Sequence, residues 1–285
     1  MKAIDIHTHT LPDSIAAQSF EMLSGKSHTR LFSDGTLAGL QASMARSGIA
    51  FSAVLPVATA ARQVPRINAS SIAIQAAFRD TGILSFGCMH PDYEDWNHEL
   101  KRIREAGLKG IKLHPVYQGA DFDDPRYLRI LNKAGELGLI VLIHAGDDVG
   151  FPGEVRSSPA MILNALKSVG PLKLVLAHMG GWRCWDEVED LLAGQQVYLD
   201  TSFCLGDMVP IEDGYYSHPS QLTRISVEQF VRMVRLFGSS HILFGSDSPW
   251  DDQATVLRRI LDLPLTDTEK QAILYDNAAS LLDIG

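Results

Sequence analysis

The amino-acid sequence predicts an α/β protein whose strands and helices form a single (β/α)8 barrel domain over residues 1–285. Short apolar, β-branched segments occur eight times along the chain, and segments with helix-start signals lie between them. Seven of these segments follow a glycine, which ends a helix without the steric cost that a Cβ atom would bring. The length of 285 residues also suits one barrel, which needs about 250.

The predicted strands cover 3–6, 49–55, 83–86, 108–113, 139–143, 172–176, 197–199 and 241–244. Proline after an N-cap residue marks two helix starts, Asp124-Pro125 and Ser158-Pro159, and capping-box patterns mark Ser226–Gln229 and Thr266–Glu269. The alternative fold is a doubly wound open sheet. It would need a glycine-rich phosphate loop after the first strand, where this chain has His7-Thr8-His9.

A long segment separates the seventh and eighth strands. Residues 202–224 contain two prolines and two tyrosines with little helical periodicity, and loops of this length are usually functional. We predict a lid or specificity loop at the top of the barrel, with a purely structural excursion as the alternative.

Composition limits the classes of function. A net charge of −9 argues against binding to nucleic acid or to an anionic membrane, and no apolar run approaches the roughly 18 residues of a membrane span. The N-terminus leads directly into the first strand, with no predicted signal peptide. Cys88, Cys184 and Cys204 are an odd number without metal-like spacing, which favours reduced thiols. We therefore expect a cytoplasmic protein with a small-molecule substrate; a homo-oligomer is compatible with the sequence, which leaves the oligomeric state open.

Polar side chains follow one predicted strand after another, at the end where barrel enzymes carry their catalytic residues. They are His7 and His9 (first strand), His90 (third), Lys112 and His114 (fourth), His144 (fifth), His178 (sixth) and Asp247 (eighth). His7 and His9 are two residues apart, so both point to one face of their strand and can share a metal ion. With His144 and Asp247 they supply the imidazole and carboxylate ligands that catalytic zinc prefers.

Five motifs resemble those of the amidohydrolase superfamily, in the order found there: Ile4–His9, Gly110–Pro115, Leu142–Gly146, Leu176–Gly181 and Leu243–Trp250. The similarity is greatest to its amidohydrolase-related branch of metal-dependent hydrolases and decarboxylases. The resemblance implies a distorted barrel in which His7, His9, His144 and Asp247 bind the metal. It also implies that His178 polarises the substrate or binds a second ion.

Lys112 and His114 are open positions in this scheme. In binuclear relatives a carbamylated lysine bridges two metal ions, and Lys112 stands where that lysine would be, whereas His114 could contact substrate or a second ion. Second-rank candidates are His90, Asp200 and Arg183, each with a structural alternative: a supporting position, a hydrogen bond at the rim and a solvated side chain. We expect one divalent ion, most plausibly zinc, with two as the alternative.

The resemblance predicts a metal-dependent hydrolase that attacks an amide, ester or lactone with metal-activated water. Asp247 would act as general base, and His178 would stabilise the oxyanion. The alternatives are a non-oxidative decarboxylase of an aromatic or enolic acid on the same scaffold and, in another class, a barrel that binds a ligand without turnover.

Overall fold

A computed structural model describes residues 1–218, 221, 222 and 224–284. Its strands occupy all eight predicted positions, and the third position is divided at Phe86 into two short strands. The strands are β1 (Ala3–Thr8), β2 (Ile49–Val54), β3 (Ile83–Ser85), β4 (Gly87–Cys88), β5 (Gly110–Leu113), β6 (Ile140–Ile143), β7 (Lys173–Leu176), β8 (Val197–Asp200) and β9 (Ile242–Leu243).

All strand pairs are parallel and follow chain order, β1-β2-β3 and then β4 through β9. Backbone hydrogen bonds continue where the strand assignment stops. Phe86 N donates to Val54 O over 2.9 Å, and Ile6 N donates to Phe244 O over 2.9 Å. Because the second bond joins the last strand to the first, the strands form a ring. The barrel prediction is thus confirmed over the doubly wound alternative.

Helices follow the strands and cover them on the outside. The α-helices are α1 (Asp13–Ser27), α2 (Leu37–Ser47), α3 (Val64–Ala76), α4 (Phe78–Thr81), α5 (Trp96–Glu105), α6 (Pro115–Gln118), α7 (Pro125–Glu136), α8 (Pro159–Ser168), α9 (Trp185–Leu192), α10 (Val227–Phe237), α11 (Gln253–Asp262), α12 (Asp267–Gln271) and α13 (Asn277–Leu282). All four predicted N-caps accept a backbone hydrogen bond, but only the Thr266 cap is a reciprocal capping box. Gly48 ends α2 in the left-handed conformation, as predicted.

Two apolar clusters stabilise the barrel and leave its C-terminal end for polar residues. The smaller cluster joins Ile4 of β1, Ile140 of β6 and Leu243 of β9 to Leu282 of α13. Since β1 and β6 are not neighbours, this cluster fills the interior of the ring, where α13 packs against it. The larger cluster lies between the strands and the surrounding helices.

Among the described residues, no helix is both long and apolar enough to cross a membrane. The three cysteines are free thiols, as predicted, with Cys88 and Cys204 buried.

Candidate metal centre and active-site cleft

A cleft that opens to solvent lies at the C-terminal ends of the strands. The cleft brings together seven of the eight strand-end residues named from the sequence, all but His90: His7, His9, Lys112, His114, His144, His178 and Asp247. They meet because parallel strands in a barrel deliver their last side chains to one rim.

The first potential metal-binding group contains His7, His9 and Asp247, whose ligand atoms all lie within 4.8 Å of one another. The Nε2 atoms of His7 and His9 are 3.1 Å apart, and Oδ1 of Asp247 lies 3.4 and 3.2 Å from them. Asp247 comes from the segment after β9, where a φ of 67° and a hydrogen bond from its backbone N to His7 O turn it toward β1.

Hydrogen bonds to the outer ring nitrogens assign the tautomers of both histidines. Nδ1 of His9 is 2.8 Å from Leu55 O, and Nδ1 of His7 is 2.8 Å from Oδ2 of Asp200. Both partners are acceptors, so each neutral imidazole carries its proton on Nδ1 and presents a lone pair at Nε2. Two lone pairs at 3.1 Å cannot hydrogen-bond to each other. The pair therefore fits a cation, either a proton or a metal ion.

His144 and His178 form a second pair of the same kind. Nε2 of His144 is 3.0 Å from Asp147 O, and Nδ1 of His178 is 3.0 Å from Ser202 O. The remaining nitrogens, Nδ1 of His144 and Nε2 of His178, face each other at 3.1 Å. By the same reasoning both present lone pairs, which suit a metal ion.

A second potential metal-binding group combines His144 with His114 and Asp148. The rings of His114 and His144 are stacked, with centroids 4.2 Å apart and planes 10° from parallel. The carboxylate oxygen Oδ2 of Asp148 lies 3.5 and 3.7 Å from their Nε2 atoms. Sequence reasoning missed Asp148; its position four residues after His144, in the loop that follows β6, is the signal that could have indicated it.

Lys112 is buried at the base of the cleft, with Nζ 3.2 Å from Nε2 of His7. Burial lowers the pKa of Lys112 to about 8. The carboxylates of Asp200 and Asp247 raise this pKa, but by less than burial lowers it. A basic nitrogen against the lone pair of His7 takes the place that a metal cation would take. The donor set and this stand-in together show that the residues present fit a divalent ion.

The charge states of the site follow from burial. Burial lowers the pKa values of His7, His114 and His144, and lowers that of His178 to about 3, so these rings are neutral at pH 7. Burial opposes ionisation of Asp247, but the adjacent His7 and His9 hold its pKa well below the usual range. Neutral imidazoles and an ionised carboxylate are the forms that bind metal.

The second-rank candidates occupy supporting positions. Asp200 accepts hydrogen bonds from Ser202 and from the backbone N of His178 in addition to its contact with His7. Nδ1 of His90 accepts a hydrogen bond from the backbone of Asp92, in the turn after β4. Neither residue lines the cleft.

The long loop divides into a buried and an exposed part. Phe203, Leu205 and Met208 are buried in the core, whereas residues 211–217 are largely exposed. Pro210 pairs in antiparallel fashion with Thr29, which lines the cleft just after α1. Residues 203–208 thus pack into the fold, with Phe203 also lining the cleft, and the role of the loop as a lid or specificity loop stays a prediction. Pro219, Ser220 and Thr223 lie outside the described residues.

A family model described as amidohydrolase matches residues 4–284. The chain belongs to the amidohydrolase family. Among curated amidohydrolase relatives, a dihydroorotase from Helicobacter pylori (strain HPAG1) is 28% identical over 162 residues, which cover 53% of this chain and 47% of the relative. The chain thus spans about half the length of the curated relatives it matches.

Solved structures show the same amidohydrolase barrel. An uncharacterised TIM-barrel protein from Bordetella bronchiseptica aligns over 100% of this chain and 99% of its own, with a TM-score of 0.75 and 17% identity. A dihydroxybenzoic acid decarboxylase from Polaromonas, with bound manganese and an inhibitor, aligns over 99% and 97%, with a TM-score of 0.67 and 14% identity. At these identities the similarity establishes the fold.

Proposed function

We propose that this amidohydrolase-family member is a metal-dependent hydrolase that cleaves an amide, ester or lactone bond in a small molecule. The observation that carries the proposal is the inward convergence of lone pairs from His7 and His9 beside the ionised carboxylate of Asp247. These three residues would hold the primary divalent ion, with His144 completing its ligands in a one-ion site. Zinc suits this donor set best, and the family is consistent with other divalent metals.

A divalent ion held by these residues would lower the pKa of a water molecule to about 7 and so supply a nucleophile at neutral pH. Asp247 is the group placed to accept the proton of that water, since its Oδ1 lies beside the ligand nitrogens and its carboxylate is ionised. A low pKa makes Asp247 a weak base but a good acid once protonated. It would therefore return the proton readily to the leaving group.

The tautomer of His178 supports one of its two predicted roles. Because Nδ1 holds the proton against Ser202 O, Nε2 has no hydrogen to donate to an oxyanion. We therefore propose that His178 acts as a ligand, paired with His144, rather than as an oxyanion donor. Lys112, 3.2 Å from His7, would bridge to a second ion as a carbamate if the chain binds two.

Cleavage by water is the reaction that tests this proposal. The metal-loaded protein should hydrolyse members of an ester, lactone and amide panel and incorporate one ¹⁸O atom from labelled water into the product. Loss of activity with a chelator and its return with zinc would link the reaction to the metal. If the protein hydrolyses none of these compounds but releases CO₂ from an aromatic acid, hydrolysis is overturned in favour of decarboxylation.

Decarboxylation is the second candidate, favoured by one comparison. A barrel of the same fold is a dihydroxybenzoic acid decarboxylase with bound manganese. Such a reaction would still use the metal ligands, but Asp247 would pass a proton taken from water to the carbon that loses CO₂ rather than to a leaving group. The isotope and CO₂ measurements separate the two reactions directly.

A further inference from the structure

The buried carboxylate of Asp5 contacts both segments that carry the first metal-binding group. Asp5 lies on β1, two residues before His7, and none of its surface is exposed. Its Oδ1 accepts hydrogen bonds from the backbone N of His7 over 3.1 Å and from that of Ser246 over 2.9 Å. Its Oδ2 accepts one from Oγ of Ser246 over 2.5 Å and one from Nε2 of Gln253 over 2.7 Å. One side chain thus joins β1 to the residue that precedes Asp247.

The four hydrogen bonds specify an ionised carboxylate at this position. Three of the donors are N–H groups, which cannot accept a hydrogen bond in return, whereas a carboxylate accepts on both oxygens. Burial of a carboxylate costs free energy unless its oxygens are paired in this way. Removing the carboxylate would therefore leave buried donors of β1, Ser246 and α11 without a partner, and it would remove the side-chain link between the two segments.

Asp247, next to Ser246, has a backbone conformation that needs support from its neighbours. Its φ of 67° lies in the left-handed region, which is unfavourable for a residue with a Cβ atom. Such a conformation persists where the surrounding contacts fix it. Ser246 on one side is held by Asp5, and its Oγ accepts a hydrogen bond from the backbone N of Ser248 on the other side over 3.0 Å. Asp5 therefore supports the turn that presents Asp247 to the metal-binding group.

The two contacts at Oδ1 of Asp5 set the position of the segments relative to each other. Because the backbone N atoms of His7 and Ser246 donate to the same oxygen, neither can move away without losing a hydrogen bond. A backbone hydrogen bond from Asp247 N to His7 O, 2.8 Å long, acts beside them. Together these contacts hold Oδ1 of Asp247 3.4 Å from Nε2 of His7, a separation at which both atoms can bind one ion.

We propose that Asp5 is a positioning residue of the metal centre, which fixes His7 and Asp247 relative to each other without contacting the ion. Its role differs from that of Asp200, whose carboxylate contacts the ring of His7 rather than its backbone. The inference rests on the proposed metal-dependent function, because only a bound ion gives the relative position of these ligands a consequence. It adds a residue outside the lining of the cleft to that function.

Cobalt(II) is the probe, because its visible absorption depends on the number and arrangement of its ligands. In competition with a chelator, the full chain with Asp5→Ala should bind cobalt at least about tenfold more weakly than wild type, and its absorption spectrum should change. Glu99→Ala is the matched control, since Glu99 is also a buried carboxylate and is bonded to Asn68 and Arg102 away from the cleft. This control should lose stability toward urea, as Asp5→Ala does, but keep the wild-type affinity and spectrum.

Ser246→Ala tests the same contact if Asp5→Ala does not fold. It removes the hydroxyl that joins Asp5 to Ser248, and it should change affinity and spectrum in the same direction by a smaller amount.

The outcomes separate this inference from the function on which it rests. Wild-type affinity and spectrum in folded Asp5→Ala, or in Ser246→Ala where Asp5→Ala does not fold, would overturn the positioning role and leave the metal site standing. Equal changes in Glu99→Ala would overturn it as well, because a general loss of stability would then explain both variants. If wild type itself binds neither cobalt nor zinc, the proposed function is overturned, and the inference falls with it.

Discussion

Nδ1 of His144 and Nε2 of His178 face each other at 3.1 Å, although the hydrogen bonds on the far side of each ring leave a lone pair on both. The same relationship joins His7 and His9 on the first strand. Backbone carbonyls and one carboxylate thus set four imidazoles to point their lone pairs inward. This preorganisation is a property of the folded chain itself, and it makes specific expectations about metal binding.

The protein should bind about one divalent ion per chain with high affinity, and zinc is the expected metal. Elemental analysis after purification and zinc supplementation measures this directly. A content well below half an ion would contradict the site. A content near two would place His178 and Lys112 among the ligands.

Asp247→Asn should separate metal binding from turnover. The amide keeps the shape and one coordinating oxygen but cannot accept a proton, so metal content should fall only partly while kcat falls by about 10²–10⁴-fold. His144→Ala is the companion variant, and it should lose metal and activity together. Wild-type kcat in fully metallated Asp247→Asn would refute the proton-transfer role.

Asp200→Asn should weaken metal binding, although Asp200 is not itself a metal ligand. The carboxylate of Asp200 holds the Nδ1 proton of His7, and loss of such a partner typically costs about 10–100-fold in metal affinity. Competition with a fluorescent chelator gives the affinity, and Asp190→Asn serves as the exposed control. Equal affinities of wild type and Asp200→Asn would show that His7 is oriented by other contacts.

Stability of the metal-free protein should fall as the pH drops below about 6.5, the ordinary pKa of histidine. Burial lowers the pKa of His178 to about 3, so between these values the unfolded chain binds a proton that the folded chain does not. Each such histidine contributes a slope of up to about 1.4 kcal/mol per pH unit. Asp5, whose pKa burial raises to about 6, acts in the opposite direction.

Urea unfolding of metal-free wild type and His178→Asn between pH 5 and pH 7.5 checks this expectation. Asparagine tolerates the left-handed φ of 59° found at this position. The variant should show the shallower decline in the free energy of unfolding. Parallel declines would mean that His178 does not titrate on unfolding.

The exposed part of the long loop should govern substrate choice rather than folding. Removing residues 212–217 takes away Tyr215, which stacks on His28, and leaves the buried residues 203–208 in place. KM or kcat should change while the melting temperature stays within a few degrees. A large fall in melting temperature would show that contacts of this segment, such as those of Tyr215 with His28 and of Tyr216 with Ser27, support the fold.

The barrel and the identity of its rim residues could be predicted from sequence because both depend on local patterns. Helix-ending glycines and apolar strand segments recur along the chain, and they place the eight strands within a few residues. In a parallel barrel, the residue after each strand reaches a common rim, so His7, His144, His178 and Asp247 had to lie near one another.

Only the tertiary structure decided how these side chains act. The inward nitrogen of each ring depends on the acceptor behind it: Asp200 for His7, Leu55 for His9, Ser202 for His178. Each of these partners is far from its histidine in sequence, so no local pattern specifies it. The pairing of Pro210 with Thr29 and the place of Asp148 beside His114 are decided in the same way, because loops meet only after the barrel has brought the strand ends together.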